Sequence, residues 1–291
     1  MTEDATNYSH LSELALEYIH RSDDERKRFI CQDKWIALPF AEQAIKRIEE
    51  LLFFPKNKRM TCLLIHGESS MGKSHILDRV RKKYSAGIQR RDGGDSHPIL
   101  ALQLVATPDE KRVMSAITRS LKAPTRNRET IESLERVISN VFARIKPAAL
   151  FLDEFNNIDA CSRQDQKKIL NFFKYLSNEY RMPVIAFGTS LSVSIIGYDP
   201  QISRRFETFL LPTWSLNEEF IDFVASLVAT YPLRKKSHVI EPRLCREILE
   251  VCDGVTGEVE KLLRRAALKA VGGEERITPS IISEVIDQRW L

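Results

Sequence analysis

The sequence predicts an α/β fold: a core with a five-stranded parallel sheet over residues 41–212, followed by a small all-helical lid domain over 213–291. Residues 1–40 precede them as a polar, helix-prone segment, read as an interaction segment. Three observations carry this. Short continuous apolar runs alternate with helical patterns, which is how a parallel sheet with crossover helices is written. The runs stop at Pro212, and only helical patterns follow. The first run ends in a glycine-bounded loop that opens a helix.

In chain order, residues 41–54 (AEQAIKRIEELLFF) place apolar side chains at helical spacing, and Pro55 ends the pattern. CLLIHG at 62–67 is apolar throughout, as a strand buried on both faces must be. PILALQLV at 98–105, AALFLDE at 148–154, PVIAFGT at 183–189 and TFLLP at 208–212 repeat the type. Helical patterns at 73–84, 110–122, 129–145 and 162–180 separate them. Patterns at 216–231, 242–252, 256–271 and 279–289 form the helical domain. RRDGGDSH at 90–97 reads as a polar turn.

Hydrophobic residues make up 43% and charged residues 29%, which excludes a disordered or fibrous chain. The net charge of +4 is too small to argue for nucleic acid, so local clusters must do that. The 5 cysteines (Cys31, Cys62, Cys161, Cys245, Cys252) form no CxxC pair and are odd in number, as expected for thiols in a reducing compartment. The 6 histidines form no HExxH and no Cys/His cluster, so no zinc site is expected. The N-terminus is polar and no apolar run approaches the ~18 residues of a membrane span. The expectation is a cytoplasmic protein without a membrane partner.

Gly67-Glu68-Ser69-Ser70-Met71-Gly72-Lys73-Ser74 has the form G-x-x-x-x-G-K-[ST], with an apolar run before it and a helical pattern after it. Small residues let successive backbone N–H groups turn inward onto phosphate oxygens. The following helix offers its positive end to the same anion. Lys73 adds a mobile charge for the β- and γ-phosphates, and Ser74 a hydroxyl for Mg²⁺. ATP and Mg²⁺ are the expected ligands.

Asp153 and Glu154 end the apolar run 148–154, where a carboxylate sits beside a phosphate loop. Asp153 is expected to hold Mg²⁺, largely through its water shell. Glu154 is expected to polarise an attacking water. A small-molecule kinase has no need of Glu154; an ATPase has. Thr189, after Gly188 at the tip of another run, can contact the γ-phosphate or the water, or simply end its strand. Arg204 and Arg205 precede the fifth run at the far edge of the domain. From there an arginine cannot reach its own phosphates but can reach a neighbour's, stabilising charge in trans; the alternative is a solvated basic pair. In the helical domain, Glu260 follows Gly257 by three, an acid near the start of a helical pattern. A lid arginine on the γ-phosphate is therefore not expected there, with Arg264 or Arg265 as weak substitutes.

The ordered set of phosphate loop, Asp153-Glu154, Gly188-Thr189 and Ser203-Arg204-Arg205-Phe206 resembles the AAA+ ATPases of the initiator/loader branch. Within it the chain looks most similar to the TniB/TnsC family of transposition regulators. The likeness rests on Leu51-Leu52 and Pro55 leading to Arg59-Met60, on Leu104-Val105-Ala106-Thr107-Pro108, and on Leu150-Phe151-Leu152-Asp153-Glu154-Phe155. It spans roughly residues 35–270. The resemblance implies ATP-bound rings or helical filaments of the protein with itself on double-stranded DNA. It also implies signalling to a DDE transposase and a TniQ-type adaptor.

DNA contacts are expected after the second run, at Lys111, Arg112, Arg119, Lys122, Arg126, Arg128 and Thr130. The resemblance implies that this region faces a central pore, with Lys111 and Thr130 foremost. Lys111 and Arg112 fall near a helix N-terminus, whose N–H groups also suit phosphates. No aromatics interleave, which favours backbone contacts to duplex over stacked single strands. The alternative is a solvated helix face, and Arg79, Arg81, Lys82, Lys83, Arg90 and Arg91 are read as such a face. Two rival functions remain: a helicase-loader-like ATPase of DnaC/IstB type acting on a protein ring, and a nucleotide-switched signalling protein without DNA.

Overall fold

A computed structural model describes residues 8–53, 55, 59–88, 97–123 and 130–288. Its apolar runs become strands: β1 Cys62–His66, β2 Ile99–Gln103, β3 Ala149–Asp153, β4 Val184–Gly188 and β5 Phe206–Leu210. They form one sheet in the order β2-β3-β4-β1-β5, every neighbouring pair parallel. The fold is the α/β class read from the sequence.

The three inner strands are almost wholly buried, which is why they read as unbroken apolar runs. The outer strands β2 and β5 are partly exposed and need no such run. That explains the shift in β5. The apolar pattern placed it at 208–212, whereas pairing with β1 sets Phe206 opposite Cys62 and Leu210 opposite His66. Exposed Glu207 and Thr208 carry the strand without an apolar signal.

Side chains alternate between the two faces of the sheet. On one face Leu64, Leu102, Leu150, Leu152, Val184 and Ala186 join a core with three helices, Glu110–Ser120, Ile131–Ile145 and Arg163–Glu179. Those helices contribute Met114, Ile117, Ile138, Phe142, Ile169 and Phe173. The intervening Leu63, Ile65, Phe151, Ile185 and Phe187 point to the other face and are equally buried. There the rings of Phe151 and Phe187 lie 5.9 Å apart.

The chain divides into two compact units: Phe40–Pro212, and Met1–Pro39 together with Thr213–Leu291. The second is helical, with Asp23–Ile30, Glu218–Ala229, Pro242–Val251, Thr256–Ala270 and Pro279–Asp287 as its longer helices. Its N-terminal part, which the sequence reading lists as a segment of its own, is packed into the unit. Ala15, Ile19, Phe29 and Ile30 are buried, and so is Arg26, whose side chain is 0% exposed. The guanidinium of Arg26 donates to both carboxylate oxygens of Glu275 at 2.7 Å, to Asp23 at 2.7 Å and to the Pro232 carbonyl at 3.0 Å. Burial raises the Glu275 carboxyl, but Arg26 and the N–H groups of Gly272 and Arg234 outweigh it and hold the group at about 2.

Candidate functional site

Parallel strands direct all their carboxyl ends to one side, and ligands of such sheets bind there. The loop after β1, Asp153 at the end of β3 and Thr189 just past β4 all lie on that side. Because β4 runs between β1 and β3, Thr189 stands between the phosphate loop and the Asp153-Glu154 pair.

The loop 67–74 is shaped by its glycines. Gly67 lies so close to the chain after β5 that a Cβ there would meet the Leu211 carbonyl oxygen at 2.7 Å. Gly72 has φ +84°, in the left-handed region that favours glycine, and nothing lies within 4 Å of the Cβ position. Ser70, with φ 62°, turns the same way. Met71 is buried and pins the loop, while Glu68, Ser69 and Ser70 are exposed. The helix Lys73–Lys83 then starts on Gly72 with no side-chain cap, so the N–H groups of its first turn are open to an anion.

The Lys73 ammonium donates to the carbonyls of Gly67 at 3.0 Å and Glu68 at 2.6 Å. Burial lowers its pKa from the ordinary lysine value, and the charges of Glu154, Asp153 and Glu68 act in the opposite direction. The Ser74 hydroxyl donates to Asp153 Oδ2 at 2.9 Å. A hydroxyl and a carboxylate in contact, beside a loop built for phosphates, fit a hard, oxygen-seeking cation such as Mg²⁺. Among the described residues no group of three or more His, Cys, Asp or Glu side chains could hold a metal by itself. The Thr189 hydroxyl is buried without a hydrogen-bond partner. A buried hydroxyl in that state suits a ligand oxygen.

Glu154 adopts φ 54° and ψ 42°, a left-handed turn that directs the chain away from β3 immediately after Asp153. Its backbone N–H donates to Asp153 Oδ1 at 2.9 Å. The Asn156 amide donates to Glu154 Oε2 at 3.3 Å and accepts from the Thr189 backbone N–H at 3.3 Å. Sequence reasoning passed over Asn156, because a neutral amide two residues beyond an acid carries no motif. It also passed over His66, at the tip of β1, whose pKa is lowered by burial and then by the Lys73 charge.

Arg204 and Arg205 are not part of this cluster. They precede β5, at the amino edge of the sheet, and the Arg205 carbonyl accepts from the N–H of Cys62 at the start of β1 at 2.8 Å. A five-residue strand at ~3.3 Å per residue puts the phosphate loop roughly 15 Å away. Arg205 donates to Asn178 at 2.5 Å, whereas Arg204 is exposed.

Lys111, Arg112 and Arg119 are exposed on the helix Glu110–Ser120, whose other face buries Val113, Met114 and Ile117. Lys122 follows just after that helix, also exposed. The N–H groups at its start are not all free: Asp109 caps the helix, accepting from Arg112 N at 2.8 Å. The Arg112 guanidinium turns back onto the Thr107 carbonyl at 2.8 Å. Thr130 caps the next helix, its hydroxyl accepting from Ser133 N at 3.2 Å. Arg126 and Arg128 lie outside the described residues, as do Arg90 and Arg91. In the helix Lys73–Lys83, Arg81 pairs with Asp78 and Lys83 with Glu49. In the helical unit Arg264 donates to Glu260 at 3.3 Å.

A family model described as "Bacterial TniB protein" matches residues 26–216. Among solved structures, Cdc6p from Pyrobaculum aerophilum superposes with a TM-score of 0.63 at 15% identity, covering 92% of this chain and 71% of that one. Drosophila ORC bound to DNA gives 0.61 at 13% identity, covering 94% and 67%. Aeropyrum pernix ORC1 in complex with DNA gives 0.56 at 15%, covering 90% and 69%. At these identities the likeness is one of fold. A search of curated proteins found no match.

Proposed function

The chain belongs to the family of bacterial TniB proteins and is an AAA+ ATPase, and from that premise we propose that it is an ATP-dependent, self-assembling DNA-binding protein that marks target DNA and recruits or activates a transposase. The observation that carries the ATP chemistry is the convergence of Lys73, Ser74–Asp153, Glu154 and Thr189 at neighbouring strand ends. In this reading the loop N–H groups and Lys73 bind the β- and γ-phosphates. Ser74 and Asp153 would hold Mg²⁺, which would supply neutralisation of charge on the phosphate oxygens. Glu154 draws a proton from the attacking water. The Thr189 hydroxyl orients the γ-phosphate or that water.

Arg204 and Arg205, roughly a strand's length from their own loop, serve the ATP of a neighbouring copy. That makes hydrolysis depend on assembly. Two of the similar structures are described as bound to DNA, and the exposed cations Lys111, Arg119 and Lys122 supply phosphate contacts. A DDE transposase and a TniQ-type adaptor are the partners proposed from the family.

Imaging the protein with duplex DNA and a slowly hydrolysed ATP analogue tests the reading. Rings or filaments on DNA are expected with the analogue and not without it. A protein that stays monomeric, or ignores duplex in both states, refutes it.

A further inference from the structure

We propose that Asn156 is the positioning residue of the hydrolytic site, a two-ended clamp that holds the Glu154 carboxylate to the tip of β4. The inference rests on the reading of Glu154 as the group that activates water. Glu154 sits at a left-handed turn, φ 54°, where the chain leaves β3. A carboxylate on such a turn is aimed by whatever holds its far end. Asn156 does so, its amide nitrogen donating to Glu154 Oε2 at 3.3 Å. Its amide oxygen accepts from the Thr189 N–H at 3.3 Å.

The orientation of the amide follows from its partners. A carboxylate only accepts and a backbone N–H only donates, so the reversed amide would set acceptor against acceptor and donor against donor. One Asn156 side chain thus ties together the ends of two adjacent strands. The same amide nitrogen also reaches Asn157 Oδ1 at 3.4 Å, and Asn157 in turn donates to the Leu104 carbonyl after β2 at 2.9 Å. Asn156 is further fixed from behind: a Cβ on Gly188 would come within 3.2 Å of its backbone nitrogen. The clamp engages one oxygen of Glu154 and leaves the other for a water. It takes the backbone N–H of Thr189 and leaves the hydroxyl unpartnered. Both ends of the Asn156 amide are thus engaged by the protein itself. Its contribution is to keep base and Thr189 hydroxyl in one mutual geometry, and loss of such positioning falls on kcat rather than on ATP binding.

Three substitutions separate the two ends of the clamp. Asn156→Ala removes both contacts. Asn156→Asp keeps the acceptor for Thr189 and removes the donor to Glu154. Asn156→His restores one donor and one acceptor on a neutral ring. Steady-state turnover and binding of a fluorescent ATP analogue are measured on the full chain, together with hydrogen exchange of the Thr189 amide without nucleotide. We expect kcat to fall about tenfold or more in the alanine and aspartate variants, with affinity for the analogue within about twofold of native, as for lost positioning. The Thr189 amide should exchange faster in the alanine variant and at the native rate in the aspartate variant. The histidine variant should recover turnover.

Native kcat in both the alanine and aspartate variants overturns the clamp. So does a loss confined to nucleotide affinity, or unchanged Thr189 exchange in the alanine variant. Glu154→Gln is run alongside. If it loses turnover while the Asn156 variants keep theirs, the clamp alone is wrong. If it turns over ATP like the native chain, the reading of Glu154 fails and the clamp with it.

Discussion

Glu275→Gln should weaken the helical unit by about 3 kcal/mol at pH 7, and the size follows from the pair it breaks. The Glu275 carboxyl is held at about 2 against an ordinary value of 4.5. Those ~2.5 pH units, at 1.36 kcal/mol each, give about 3 kcal/mol. Removing one partner of a buried ion pair costs a similar ~3–5 kcal/mol. The lower end applies here because Arg26 keeps Asp23, at 2.7 Å, when Glu275 is neutralised. A depressed carboxylate contributes stability above its unfolded pKa, and that stability is lost as pH falls toward the folded value. The gap between native and variant should therefore narrow to about 2 kcal/mol by pH 3.5. The assay is urea unfolding followed by tryptophan fluorescence. The described tryptophans, Trp35 and Trp214, belong to the helical unit, so their signal reports on it. A gap below about 1 kcal/mol at pH 7, or one that stays constant down to pH 3.5, would refute the assignment of this pair.

Four further outcomes are expected. Lys73→Ala should abolish ATP binding or weaken it severely, measured by a fluorescent nucleotide; native affinity would remove Lys73 from the phosphate site. Glu154→Gln should cut turnover by about 10² while ATP still binds, and its DNA-bound assemblies should last longer, as seen by light scattering. Subunits carrying Arg204→Ala with Arg205→Ala, mixed with Glu154→Gln subunits, should regain turnover, because intact groups then meet at some interfaces; a mixture no better than its parents argues against action in trans. Lys111→Ala should weaken duplex binding equally across unrelated sequences and flatten the salt slope by about one unit, with ATP binding by the isolated subunit unchanged. Unaltered affinity and slope would put the DNA elsewhere.

What could be seen in the sequence was what is contiguous. The loop 67–74 and the Asp153-Glu154 pair each sit in an unbroken stretch, and their chemistry needs only residue type and spacing. β1, β3 and β4 were visible because burial on both faces demands apolar residues at every position. β5 was displaced by two residues because an edge strand makes no such demand. Asn156 and Asn178 were invisible for another reason. Neither carries charge, and each acts on a residue far along the chain, Thr189 for one and Arg205 for the other. Lys111 and Arg112 look alike in sequence. Only the structure shows Arg112 spent on Thr107 and Asp109 while Lys111 stays exposed. The N-terminal helices read as a segment of their own because their partner, Glu275, lies 249 positions away from Arg26.

That distance has a consequence for the order of synthesis. In sequence the ATPase unit interrupts the helical unit, so the ribosome delivers the shorter part of one, all of the other, then the longer part of the first. Phe40–Pro212 has every strand of its sheet once residue 212 has emerged. The helix Asp23–Ile30 is made before any of it and cannot bury Arg26 against a carboxylate until residue 275 appears. Until residues past 212 appear, Phe29 and Ile30 lack the rest of their own core, and at ~5–20 residues per second that wait is about ten seconds or more. The Arg26–Glu275 pair thus closes only after the whole of the ATPase unit has been made.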